Sequence, residues 1–222
     1  MRETRTPYIF SAYANSVGAV LEVPIKAFLT DVPCAALPVN GGMISQVKED
    51  IDFKIGSTQI LKIGRASATV LGEYRTVPGE NGQDHRVSLA TSTVEKINIL
   101  DVITADAIVS KVTSVYRKGS PVRFSLAGSH FDNLKIDGKA VDCLASNNRF
   151  KDDFFAEAGD DLRKGVSEPP QIQSLAHFGR IHLGEVNIYG GKVILTMLRA
   201  ELGCPFSGSI SASNTSTNGR DG

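Results

Sequence analysis

Ile51, Phe53 and Ile55 alternate with Asp52 and Lys54, a period of two that sends every second side chain to one face of an extended strand. Ala66, Ala68 and Val70 alternate in the same way with Arg65, Ser67 and Thr69. Small alanines on one face predict a place where a second layer comes close. Gly56-Ser57 predicts a turn between these two segments. The stretch 78–84, with two breaker pairs, predicts the tip of a long hairpin between 66–76 and 86–99. The second arm runs on into 103–115 with a bend at Asp101. On that strand Thr104, Asp106 and Ile108 fall on one face, and Ala105, Ala107 and Val109 on the other.

Further short strands follow at 122–126 and at 133–141, the latter around Asp137-Gly138, a type I′ turn signal. Earlier in the chain, 20–23 and 25–29 read as two short strands bent at Pro24, since proline removes a ladder donor. Residues 31–42 read as a turn-rich connection. The pattern changes at 147–165, where charge density and the spacing of Phe154, Ala158 and Leu162 predict a short amphipathic helix. Strand character returns at 181–188 and 192–202 around Gly190-Gly191. The fold class is therefore all-β, an antiparallel β-sandwich with one short helical insertion, in a single domain spanning 1–206. Residues 207–222, nearly all Ser, Thr, Asn, Gly and charge, predict a polar, flexible tail. The expected core is Ala66, Ala68, Val70, Ile97, Ile99, Ala105, Ala107, Val109, Phe124, Leu126, Leu134, Ile136, Leu183, Val193 and Leu195.

Composition supports an ordinary buried core: 41% of the 222 residues are hydrophobic and 22% charged. Lysine and arginine together number 24, matched by 24 aspartates and glutamates. That balance removes the long-range positive field on which nucleic-acid binding depends, so no nucleic-acid partner is expected. No apolar run approaches the length of a membrane span; the stretch 97–109 is interrupted by Asn98, Asp101 and Asp106. The basic start lacks a following apolar segment, which fits either a cytoplasmic chain or a mature form cut from a longer precursor.

Candidate chemistry is sparse. Cys34, Cys143 and Cys204 are widely spaced, which favours buried thiols over a single disulfide of unknown pairing or a reactive nucleophile, and is unlike a zinc site. His85, His130, His177 and His182 include one close pair, His177 and His182, whose spacing suits neither a helical nor a strand-borne metal pair. Asp152-Asp153 and Asp160-Asp161 read as a solvated helix face. Asp106 reads as an edge or turn-proximal carboxylate bonded to backbone amides. No nucleophile elbow, phosphate-binding loop or dinucleotide fingerprint occurs. No catalytic residue, metal or cofactor is assigned, and the chain reads as non-enzymatic. Tyr8, Ile9 and Phe10 form a short apolar stretch in an otherwise polar start, a candidate assembly arm that would add a strand to a neighbouring copy; the alternative is an edge strand within its own chain.

The segment Ile103-Thr104-Ala105-Asp106-Ala107-Ile108-Val109-Ser110, followed by Phe131 to Val141 with its Leu134-Lys135-Ile136-Asp137-Gly138 hairpin, resembles the choice-of-anchor P family of bacterial surface proteins. Gly179 to Glu185 and Leu198 to Cys204 look like the last two strands of that family, and Ser11-Ala12-Tyr13-Ala14 like its opening strand. The resemblance implies a secreted or cell-surface, structural or adhesive β-domain, capable of self-assembly, and implies no catalytic residue. A carbohydrate- or lipid-binding module with its site on loops such as 77–85 is the alternative reading, and a hydrolase with a dispersed site a third.

Overall fold

The computed structural model describes residues 9–21, 27–76, 84–117, 119–141, 150–151, 156–157, 180–189, 192–201 and 215–218. The fold is all-β and antiparallel, as the alternation predicts. Its frame is a meander of four long strands, β5 (Gly42–Ile55), β6 (Thr58–Thr76), β7 (Asp84–Ile99) and β8 (Ile103–Tyr116), each hydrogen-bonded to the next. Beyond β8 the chain runs back along the open side of that strand in three short pieces. β9 (Arg123–Ser125) pairs with Thr113 to Val115, β10 (His130–Asp132) with Ala107 to Val109, and β11 (Lys135–Ile136) with Ile103 and Thr104. Where the chain turns away opposite Lys111, Ser129 replaces the missing strand: Lys111 N donates to Ser129 Oγ at 2.8 Å, and that hydroxyl donates to Lys111 O at 3.0 Å. β12 (Lys139–Ala140) closes a hairpin with β11 over Asp137 and Gly138, whose φ values of 52° and 71° give the expected type I′ turn.

A second sheet runs in the order β14 (Arg180–Tyr189), β15 (Lys192–Glu201), β16 (Thr215–Asn218), β1 (Ala12–Asn15) and β4 (Cys34–Ala36). It lies on one face of the meander, with β4 over β5 and β6, β1 over β6 and β7, β16 over β7 and β8, and β15 over β8. A separate two-stranded hairpin joins β2 (Val20–Leu21) to β3 (Ala27–Phe28). The expected flexible tail is corrected at Thr215–Asn218, which form a strand between β1 and β15. Backbone pairing on both sides satisfies that segment's amides and carbonyls.

The facing positions of the meander are small where β1 and β4 cover it. Ala66, Ala68, Val70, Ala90 and Ser92 are buried, and the layers come close enough for Ser92 Oγ to donate to Asn15 O at 2.9 Å. Gly72 and Gly41 continue this close approach. A Cβ on Gly72 would stand 2.8 Å from Leu37 Cδ2 and 2.9 Å from Phe10 Cδ1, and one on Gly41 2.7 Å from the Gly72 carbonyl oxygen. Toward the other end the core fills with Ile51, Phe53, Leu61, Ile63, Ile97, Ile99 and Ile103, and the apolar cluster they belong to extends beside β8 to Phe124, Ile136, Ile181 and Leu195.

One transverse row rephases the alternation. Buried positions run Leu61, Ile63, then Ala66, Ala68 on β6; Val94, then Ile97, Ile99 on β7; and Ile103, Ala105, then Ile108, Ser110 on β8. Each strand thus leaves two successive residues out of the core, Gly64-Arg65, Glu95-Lys96 and Asp106-Ala107, with no register shift between β6, β7 and β8. Asp50 and Lys96 flank Gly64 on this row and hold φ values of 52° and 55°. A left-handed residue reverses the pleat locally, so alternation restarts one residue late while pairing continues. The expected facing of β8 is corrected accordingly: Ala107 and Val109 are half-exposed, and Ile108 is buried. The other thirteen of the fifteen expected core residues are buried.

The expected helix over 147–165 is corrected at Ala156–Glu157, which form β13, a strand paired with Arg123 and Phe124 of β9. Apart from Phe150 and Lys151, the rest of that stretch lies outside the described residues. Among the described residues no helix is long and apolar enough to cross a membrane.

Candidate interaction surface

The meander's outward face is built from the residues that alternate with its buried ones. Register places Met43, Leu71, Leu89 and Thr113 on one row, Ser45, Thr69, Thr91 and Lys111 on the next, and Val47, Ser67, Thr93 and Val109 on a third. These side chains are exposed on β5 and half-exposed on β6 to β8. These three rows are aliphatic and hydroxyl apart from Lys111, and the next row, with Glu49, Arg65 and Glu95, is charged. Ser45 Oγ and Thr69 Oγ1 share a hydrogen bond of 2.8 Å. Neighbouring strands lie about 4.8 Å apart and alternate residues of one strand about 6.8 Å apart, so the hydroxyls of Thr69, Thr91 and Thr93 form a regular array.

β5 borders this face and ends the sheet. From Gly42 to Asp50 its side chains are exposed or half-exposed on both faces, whereas Ile51 and Phe53 are buried. Met43 is 64% and Val47 51% exposed. On the side toward β4, Gln46 Oε1 accepts from Cys34 N at 3.2 Å, and Lys48 Nζ is ion-paired with Asp31.

At the tip of the meander Tyr74, Arg86 and Tyr116 sit on one row. The Arg86 guanidinium lies 5.6 Å from the Tyr74 ring centre and 5.7 Å from that of Tyr116, a cation held between two π faces. Phe10 meets Tyr74 edge to face at 5.3 Å.

The residues singled out by sequence do not converge on one site. Phe10 is 1% exposed and packs in its own chain against Leu37 and Gly72, with its N–H donated to Val39 O at 3.0 Å. Its side chain packs in the chain's own core. Ile9 is exposed, and Tyr8 lies outside the described residues. Cys34 is a free, half-buried thiol on β4; Cys143 and Cys204 lie outside the described residues. Burial, followed by the adjacent Cys34, pushes the Tyr13 hydroxyl above its ordinary pKa. Asp106 is exposed and accepts from Asn133 Nδ2 at 3.1 Å rather than from backbone amides. His130 is exposed, with Nε2 3.5 Å from Asp132. Residues 77–83 of the loop considered for ligand binding, His177 and the aspartates at 152, 153, 160 and 161 lie outside the described residues.

The strongest polar cluster was not legible as a motif. On β14 and β15, Arg199 donates from Nε and Nη2 to the two carboxylate oxygens of Glu185, both at 2.8 Å, and pairs through Nη1 with Glu201. Hydrogen bonding to Glu185 holds the guanidinium above its ordinary pKa, against partial burial. His182 is buried beside this pair, with Nδ1 3.7 Å from Glu185, and neither ring nitrogen has a hydrogen-bond partner. With both Glu185 oxygens taken by arginine and the imidazole beyond hydrogen-bond reach, the geometry gives a structural clamp between strands. Among the described residues no group of three or more His, Cys, Asp or Glu is placed to hold a metal ion.

Fold and surface together define an antiparallel β-domain presenting a sheet face with a band of hydroxyl and aliphatic groups and an open edge. The model of a family described as a domain of unknown function (DUF8256) matches residues 8–168. The chain belongs to that family, and the matched stretch takes in β1 to β13. No curated protein matches the chain, and no solved structure does.

Proposed function

We propose that this protein is a structural or adhesive β-domain of the cell exterior that works through the outward face of its meander. The observation that carries the reading is the continuous row pattern of Ser45, Thr69, Thr91 and Val47, Ser67, Thr93, accessible to solvent and bordered by the exposed edge of β5. A sheet face with hydroxyl and methyl groups suits contact with an extended partner better than enclosure of a small substrate. The segments that resemble the choice-of-anchor P family also fall in strand order, on β1, β8, β10 to β12, β14 and β15. Protease added to intact producing cells tests the placement. The protein is expected to be digested while a cytoplasmic marker survives; survival of both overturns the reading.

Carbohydrate binding is a second reading, favoured by the Tyr74, Arg86, Tyr116 row, because tyrosine faces and a guanidinium are the groups that stack on and hydrogen-bond to sugars. Glycan binding abolished by Tyr74→Ala would favour it over the first.

A further inference from the structure

We infer that the edge of β5 between Gly42 and Asp50 is an association surface for a second copy of this chain, the two β5 strands pairing antiparallel about a two-fold axis. The inference goes beyond the proposed function and does not depend on what the outward face binds.

The sheet order ends at β5, and no described strand pairs with its other side. A strand edge carries a row of amides and carbonyls that another extended segment can satisfy, and folded proteins guard such edges with proline, bulges, short length or projecting lysine. β5 lacks these guards over this stretch. It contains no proline, and its pairing with β6 runs unbroken from Gly42 opposite Gly72 to Glu49 opposite Arg65. Its lysine, Lys48, is drawn to Asp31 and so neutralised. Met43 and Val47 instead leave apolar surface beside the edge.

The occupant follows from symmetry and charge. The regular stretch is bounded by positive φ values at Gly42 and Asp50, and its midpoint is Gln46. A two-fold axis there sets Gln46 on its own copy, Ser45 opposite Val47, Ile44 opposite Lys48 and Met43 opposite Glu49. No two like charges stand opposite each other in this register, and the whole straight segment is used. Closed two-fold pairing also consumes both free edges, which an unrelated strand would not. The outward faces of the two meanders then join into one surface of eight long strands.

Light scattering on the full chain over a range of concentrations tests the inference. A dimer is expected. Val47→Lys places an uncompensated lysine on each edge and is expected to raise the dimer dissociation constant by about tenfold or more, with the β signal in circular dichroism unchanged. Met43→Lys, at a position more exposed still, is the second variant if the first perturbs folding. Tyr189→Lys, on the other sheet, is expected to leave the mass as it was. A monomer at every concentration overturns the inference, as does a dimer indifferent to both edge substitutions.

Discussion

The two ends of the meander solve the same packing problem with opposite materials. At one end β1 and β4 lie on Ala68, Val70 and Ala90, with Phe10 and Leu37 filling the margin. At the other, Ile51, Phe53, Leu61, Ile63, Ile97, Ile99 and Ile103 fill the core. Thin residues bring the layers together and hold them by backbone proximity, as in the bond from Ser92 to Asn15. Thick residues hold them by apolar area. Mutational sensitivity should therefore reverse sign with size: the thick end suffers from deletion of atoms and the thin end from their addition.

The largest effect is expected from deletion at the thick end. Ile63 and Ile99 are buried there, and Ile63→Ala and Ile99→Ala should each cost about 2–5 kcal/mol. Urea denaturation measures both, and a loss below about 1 kcal/mol at either would mean that the core collapses around the cavity. At the thin end Ala68→Leu should cost about 1–3 kcal/mol by overpacking. Gly72→Ala should lie in the same range, because its new Cβ meets the Leu37 and Phe10 side chains below 3.0 Å. Were Ala68→Leu neutral, the two sheets would have slack that the close contacts deny.

The row between the ends gives an effect of opposite sign. Lys96 adopts a left-handed conformation that costs a side-chain-bearing residue about 1–2 kcal/mol. Lys96→Gly should therefore raise stability by up to about 1 kcal/mol once the greater freedom of the unfolded chain is deducted. A lower melting temperature for this variant would show that the lysine stem, packed beside Gly64, outweighs the strain.

This row also marks where sequence reading stops. Alternation identified Ala105 as buried and carried the same parity on to Ala107 and Val109, because nothing in the residues between them signals a reversed pleat; the cause lies on the neighbouring strands, at Asp50 and Lys96. Turns were legible where chemistry is local, as at Asp137-Gly138, and the bend at Asp101 proved to be a tight turn with φ values of 52° and 57° at Leu100 and Asp101. Asn98 secures it through bonds to the Asp101 carboxylate and amide at 2.7 and 2.8 Å. Thr215–Asn218 could not be read as a strand, since its place depends on two partners distant in sequence. The open edge escaped notice for a related reason: a strand exposed on both faces shows no alternation, and only Ile51 and Phe53, where β5 enters the core, carry the period of two.

The smallest expected effect sharpens the contrast at the exposed surface of the thick end. Asp52 sits opposite Lys62 on the outward side of the β5–β6 hairpin and accepts from Gln59 Nε2 at 2.9 Å, while that same amide also donates to Leu61 O at 2.9 Å. Its carboxyl is held below the ordinary carboxylate value, first by the Gln59 hydrogen bond, then by Lys54 and Lys62 against some desolvation. A depressed folded-state pKa means that the contribution to stability is present above the unfolded-chain value, about 3.9 for aspartate. It is lost as pH falls through the lower folded value. Gln59→Leu removes the principal donor, so the Asp52 titration followed by carboxyl NMR should move up toward its ordinary value. Lys54→Gln, which removes a weaker influence through a pair 3.5 Å apart, should move it less. A larger shift from the lysine than from the glutamine would reverse this order and assign the depression to charge.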